Sequence, residues 1–99
     1  MASARMVHKY TLEISSKPQT LDLPVGAEIL DIQMQHGQPR LWALVDPTET
    51  EPEERVFRMT GTGWPIDAPI DENMRHVATV QADDGMLVWH FFEEVKKHG

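Results

Sequence analysis

The chain has 99 residues, which suffices for one small core and leaves no room for a second domain. Sixteen acidic residues against nine basic ones give a formal net charge of −7, which argues against the broad basic surface of ordinary nucleic-acid-binding proteins. The absence of cysteine excludes disulfides and thiolate chemistry. No apolar run has the length of a signal peptide or a membrane span, which predicts a soluble protein of the cytoplasm.

The first half of the chain shows the period-two alternation of half-buried strands. In HKYTLEIS, the residues His8, Tyr10, Leu12 and Ile14 alternate with polar ones. The shorter run TLDLPVG follows, and Pro24 limits it to a sheet edge or a strand end.

A hairpin is predicted next, because the turn HGQP separates EILDIQMQH from RLWALVD. In the first of these strands Leu30, Ile32 and Met34 share one face. The second strand is apolar on both faces, which predicts a central position. The acidic segment DPTETEPEE has five acids, two prolines and no apolar residue, which predicts a solvated loop. A calcium site is the alternative, but the carboxylates lack the spacing of an EF-hand.

The second half contains the strongest short hairpin signal. Asp84 and Gly85 separate RHVATVQA from MLVWHFF, and Gly supplies the positive φ that a tight primed turn needs. The last strand is apolar on both faces, so both faces need cover: it is either a central strand whose outer face meets another layer or part of a dimer or partner interface.

These patterns predict an all-β fold: a small antiparallel β-sandwich or barrel of six to seven strands, mostly a meander, with under about a tenth helix. We expect a single domain over 1–99, folded over 7–93, with tails at 1–6 and 94–99. The predicted core consists of Tyr10, Leu12, Ile14, Leu30, Ile32, Leu44, Phe57, Val80 and Val88.

The stretch RMTGTGWPID raises a choice between a phosphate-binding loop and a strand end. A phosphate cradle needs converging amides backed by a helix N-terminus, whereas Pro65 removes an amide and no helix pattern follows. We therefore predict a rigid turn. Its Trp64 either packs over the end of the core or faces a partner together with Thr62 and Asp67.

Self-association is expected as well, because a core of this size is marginal. The apolar final strand leads us to assign Trp89 and Phe91 to the contact of a homodimer or to another partner interface.

Catalytic chemistry has little support, so we predict a protein that is not an enzyme and has no cofactor or metal. His8, His76 and His90 could meet on one sheet face as a dispersed metal site, but no pair has the spacing of a zinc signature. No serine lies in a nucleophile-elbow context. The acidic composition leaves open a nucleic-acid mimic that occupies a partner's basic groove.

Five blocks in order, HKYTLEI, LPVGAEIL, LWALVDP, FRMTGTGWPI and LVWHFFE, resemble an uncharacterised family of small phage- and prophage-encoded proteins. The resemblance spans His8 to Glu93 and carries no assigned activity. In that family a His follows the Gly-Thr-Gly turn, where this chain has Trp64, so the resemblance implies no catalytic His there.

The resemblance implies a protein that acts by binding a host component. The leading hypothesis is a protein-interaction module that inhibits or redirects a host defence or regulatory factor. The alternatives are a sponge that sequesters a nucleotide immune signal and a virion or assembly component.

Overall fold

Seven β-strands form the regular structure of the chain in a computed structural model, which describes residues 4–66 and 73–95. No helix occurs among these residues, and hence none that could cross a membrane. The strands are β1 (Met6–Thr11), β2 (Gln19–Pro24), β3 (Glu28–Gln35), β4 (Gln38–Val45), β5 (Pro52–Gly61), β6 (Met74–Ala82) and β7 (Leu87–Glu94).

The strands are arranged in two antiparallel sheets, of order β1-β4-β3 and β2-β5-β7-β6. The prediction of an all-β fold, either a sandwich or a barrel, is confirmed: neither sheet closes into a barrel within the described ranges, so the fold is sandwich-like. The two sheets approach each other where β3 lies beside β6. The expected meander holds for the hairpins β3-β4 and β6-β7, whereas the other three pairs join strands that are not consecutive.

The core is formed by the facing sides of both sheets. Phe57 of β5 and Phe91 of β7 are the largest fully buried side chains. On β4 and β7 the buried positions alternate with half-buried ones, as expected for strands that are inner in their sheets. The other buried apolar residues are Leu12, Leu23, Ala27, Ile32, Leu41, Ala43, Val45, Met59, Ala78, Val80 and Trp89.

The predicted core is confirmed at Leu12, Ile32, Phe57 and Val80, which are all buried, while Tyr10 packs half-buried against them.

Two of the predicted core residues are exposed, because the strands depart from simple alternation. Ile14 is exposed because β1 ends at Thr11 and the chain then leaves the sheet. Leu30 is exposed because a β-bulge between Ile29 and Asp31 shifts the register of β3, so Ile29 packs against the core instead.

Leu44 and Val88 are half-buried on the outer faces of β4 and β7 rather than in the core. Period-two alternation cannot choose between two apolar faces. On β7 the inner face carries Trp89 and Phe91.

The hairpin predicted at Asp84 and Gly85 is confirmed with a longer turn. Asp83 and Asp84 adopt φ of 53° and 54°, and Gly85 adopts 85°. The amide of Gly85 donates to the carbonyl of Ala82 at 3.1 Å. Because Ala82 pairs with Leu87, four residues separate the strands, and this register fixes which side chains of β6 and β7 are neighbours.

Candidate functional site

The turn that ends β5 carries the residues predicted to contact a partner. The amide of Thr62 donates to the carbonyl of Val88 at 3.3 Å, and that of Trp64 donates to the carbonyl of Gly61 at 3.0 Å. Gly63 has a φ of 82°, which a residue with a Cβ rarely adopts. These amides are used within the protein, which supports a strand-end turn rather than a phosphate cradle.

Trp64 is held against the end of the core by two contacts. Its indole lies over Gly61, so closely that a Cβ at Gly61 would be 2.8 Å from Trp64 Cδ2. It also meets the indole of Trp89 edge-on, with ring centroids 5.1 Å apart. Trp64 nevertheless stays 50% exposed, so it is both packed and available at the surface.

The two residues that the sequence assigned to a partner contact on β7 lie in the core. Trp89 is 6% exposed and Phe91 is 0% exposed, so their side chains are not available to a partner in this fold. The outward face of β7 presents Val88, His90 and Phe92 instead. Asp67, the remaining predicted contact, lies outside the described residues.

A row of hydrogen bonds crosses the outer face of the second sheet. Thr62 Oγ1 bonds to His90 Nε2 at 2.7 Å, and His90 Nδ1 bonds to Thr79 Oγ1 at 3.0 Å. The same hydroxyl bonds to His76 Nε2 at 2.8 Å. Since one hydroxyl has a single proton, Thr79 can donate to at most one of the two imidazoles and must accept from the other.

This row joins two of the histidines considered for a metal site and excludes the third. His76 and His90 meet through Thr79, whereas His8 lies on β1 in the other sheet beside Tyr10. Among the described residues, no three His, Asp or Glu side chains are placed to hold a metal ion.

A buried ion-pair cluster lies at the opposite end of β7, and the sequence analysis missed it. Glu93 is 4% exposed and accepts from Arg55 through Nε and, at 3.1 Å, through Nη2. Arg75 Nη2 donates to the same carboxylate at 2.8 Å. Arg55 Nη1 also donates to the carbonyl of Ala27 at 2.8 Å. One buried carboxylate therefore orients two guanidinium groups.

The acidic loop after β4 is organised by local hydrogen bonds. Asp46 Oδ1 accepts from the Thr48 hydroxyl at 2.6 Å and from the Thr48 amide at 2.9 Å. These bonds, the side-chain one foremost, hold the pKa of Asp46 below its usual value. The arrangement is that of a turn in which an aspartate binds the backbone two residues ahead.

The comparisons with known proteins give a family without an assigned activity. A family model described as a domain of unknown function, DUF7352, matches residues 3–99. No curated protein and no solved structure matches the chain.

Proposed function

We propose, from the premise that this chain belongs to the DUF7352 family of domains of unknown function, that it is a phage-type accessory protein that acts by binding. Its target in this proposal is a host protein of the cytoplasm, a defence or regulatory factor that is inhibited or redirected. The contact surface is the Trp64 turn, which we define as residues 61–66, together with the adjoining outer face of β7.

The single observation that carries the proposal is the state of Trp64. An indole that is 50% exposed but fixed over Gly61 and Trp89 presents a large apolar surface with little conformational entropy left to lose. Tryptophan is enriched among the residues that dominate binding energies. Its neighbour Thr62 is exposed, and Ile66 is 41% exposed, so the surface extends along the turn.

The ion-pair cluster at Glu93 supports a binding role rather than a catalytic one. Glu93 is the buried carboxylate among the described residues, and both of its oxygens accept from arginine. A carboxylate held in this way balances the charge of its partners, and it is not poised to accept a proton from a substrate.

Self-association is part of the proposal, with a contact different from the one expected from the sequence. β1 is an edge strand that pairs with β4, and its Met6 and Val7 are 53% and 54% exposed. An exposed apolar edge strand is a template for pairing with a second copy. We expect sedimentation to show a dimer at micromolar concentration and Val7→Lys to produce a monomer; a wild-type monomer at high micromolar concentration would remove this part.

The test of the proposed function is capture from phage-infected host cells, with wild type and two variants as bait. Trp64→Ala should lose a host protein that wild type retains in stable stoichiometric complex. Val25→Ala is the matched control, because Val25 is 46% exposed and follows β2 where that strand pairs with the beginning of β5, far from Gly61. A capture profile that is identical for all three baits would contradict the proposal.

A further inference from the structure

We infer that the cleft between β3 and β6 is a second binding site, separate from the Trp64 turn, which accepts a carboxylate or phosphate group of a small ligand. The cleft has a volume of about 450 Å³. Pockets that hold small organic ligands span roughly 300–1,000 Å³, so a molecule larger than a bare ion fits. Its lining comprises Ala27, Glu28, Ile29, Leu30, Arg55, Arg75, His76 and Val77.

Arg55 and Arg75 supply the positively charged hydrogen-bond donors of the cleft. Arg75 is 58% exposed in its side chain, and its polar contact within the described residues is the one Nη2 bond to Glu93. A guanidinium carries five N–H donors, so beyond the Glu93 bond Arg75 retains donors for a ligand at the cleft, which its side chain helps to line. Arg55, behind it, is bonded on both sides by Glu93 and the Ala27 carbonyl.

The cluster is preorganised for an anion because one carboxylate holds two cations. Glu93 fixes Arg75 in place, which lowers the conformational entropy that binding would otherwise cost. Arg55 has a second acidic neighbour, because Glu53 Oε1 lies 3.7 Å from its Nη1, whereas the acidic contact of Arg75 is the carboxylate of Glu93 that it shares with Arg55. An oxyanion that approaches Arg75 gains charge-assisted hydrogen bonds.

The neighbouring acids place the anion on one side of Arg75. On the β3 side the cleft lining contains one carboxylate, that of Glu28, which lies 4.0 Å from Arg5, and His76 lines the same cleft. On the other side, the same two arginines line an adjoining cleft of about 290 Å³ together with four carboxylates, those of Glu53, Glu54, Glu93 and Glu94. The anion is therefore expected beside His76 rather than in the adjoining cleft.

The backbones of β3 and β6 also leave a gap between the two strands at the cleft. β3 and β6 lie beside each other, yet no ladder joins them among the described residues. Each carries a β-bulge at the cleft, which leaves Leu30 and Val77 without a ladder partner. Bulges of this kind occur beside binding sites, where they end the pairing and re-aim side chains. The apolar side chains of Ile29, Leu30 and Val77 supply contacts for the body of the ligand.

The test is a titration of the full chain, followed by the ¹H–¹⁵N signals of the backbone and of the arginine Nε–H groups. The probes are inorganic phosphate and sodium acetate, with sodium chloride at matched ionic strength. We expect saturable shifts at Arg75, His76 and Val77 with at least one oxyanion, and none with chloride. Saturation by phosphate alone, acetate alone or both would support the site and identify the group that it accepts.

Variants make the result specific to the cleft. Arg75→Gln should weaken the apparent affinity about tenfold or more, and His76→Asn should weaken it less. Arg58→Gln is the matched control, because Arg58 pairs with Glu94 at 2.8 Å and is not part of the cleft lining. Shifts that remain linear to about 50 mM, or that survive unchanged in both Arg75→Gln and His76→Asn, would overturn the inference. Binding here that persists in Trp64→Ala would show that this site is independent of the proposed protein contact.

Discussion

Trp64 and Trp89 meet edge-on, with an angle of 69° between their ring planes and 5.1 Å between their centroids. One indole is half exposed and the other is buried, so the pair connects the surface of the Trp64 turn with the core. The position of the Trp64 ring also explains why residue 61 is a glycine, since a side chain there would collide with the ring. The turn is therefore a rigid extension of β5.

Removal of the outer indole should cost stability without unfolding the protein. Trp64→Ala is expected to lower the free energy of unfolding by about 1 to 2 kcal/mol, because it removes an aromatic pair and exposes Trp89. Urea denaturation followed by circular dichroism measures this change. Loss of cooperative unfolding would show that Trp64 belongs to the core and is not primarily a contact residue.

Gly61→Ala is the companion variant, because it displaces the indole and leaves Trp64 in the sequence. The added Cβ would lie 2.8 Å from the ring, so the indole must move outward, and Trp89 should become more accessible to a fluorescence quencher. Quenching equal to that of wild type would mean that the ring is not packed over Gly61.

The inner face of β3 can be tested with one pair of substitutions. Ile32→Ala should lower the free energy of unfolding by about 2 to 5 kcal/mol, because Ile32 is fully buried. Leu30→Ala should cost about 0.5 kcal/mol or less, since the bulge leaves Leu30 exposed. Equal losses in urea titrations of the two variants would argue against the bulge.

The buried carboxylate should be far more sensitive than its neighbour. Glu93→Ala is expected to cost about 3 kcal/mol, the lower end for breaking a buried ion pair, because Arg75 remains partly solvated. Glu94→Ala, which removes a more exposed partner of Arg58, should cost at most about 1 kcal/mol. If chemical denaturation gives the two variants similar stabilities, the cluster does not stabilise the fold as described.

Thr79 should control the hydrogen bonding of both histidines. In Thr79→Val, the imidazole ¹⁵N shifts of His76 and His90 should move toward those of solvated rings, because both bonds to the hydroxyl are lost. Thr79→Ser should retain the wild-type pattern. Thr62→Val should affect His90 alone, since Thr62 bonds only to that ring in the row. Unchanged ring shifts in Thr79→Val would contradict the arrangement.

The sequence predicts this fold well where a local pattern has one interpretation. Apolar faces on both sides of RLWALVD and MLVWHFF predicted inner strands, and β4 and β7 are inner strands of their sheets. Pro24 predicted an edge or strand end, and it is the last residue of the edge strand β2. Each of these signals rests on a restriction that acts within a few residues.

The sequence fails where the outcome depends on contacts between distant segments. Trp89 and Phe91 belong to a strand with two apolar faces, and only the second sheet decides which face is buried. Arg55, Arg75 and Glu93 come together through three strands. The bulge at Val77 also shifts the β6 register by one residue, so counting from the hairpin turn would not pair Arg75 with Glu93.

The row of threonine and histidine residues was within reach of the sequence. From the pairing of Ala82 with Leu87 at the hairpin turn, counting back three residues on β6 and forward three on β7 places Thr79 opposite His90. The missing information was the length of the turn, because Asp83 and Asp84 both adopt positive φ and lengthen the loop beyond two residues.

The most direct test of the central claim is calorimetric titration of the captured host protein with wild type, Trp64→Ala and Val25→Ala. We predict that Trp64→Ala weakens binding by about 2 kcal/mol or more, the scale of an anchoring residue, while it keeps cooperative unfolding. Val25→Ala should bind within about 0.5 kcal/mol of wild type. Equal affinities for wild type and a folded Trp64→Ala would contradict the assignment of the Trp64 turn as the contact surface.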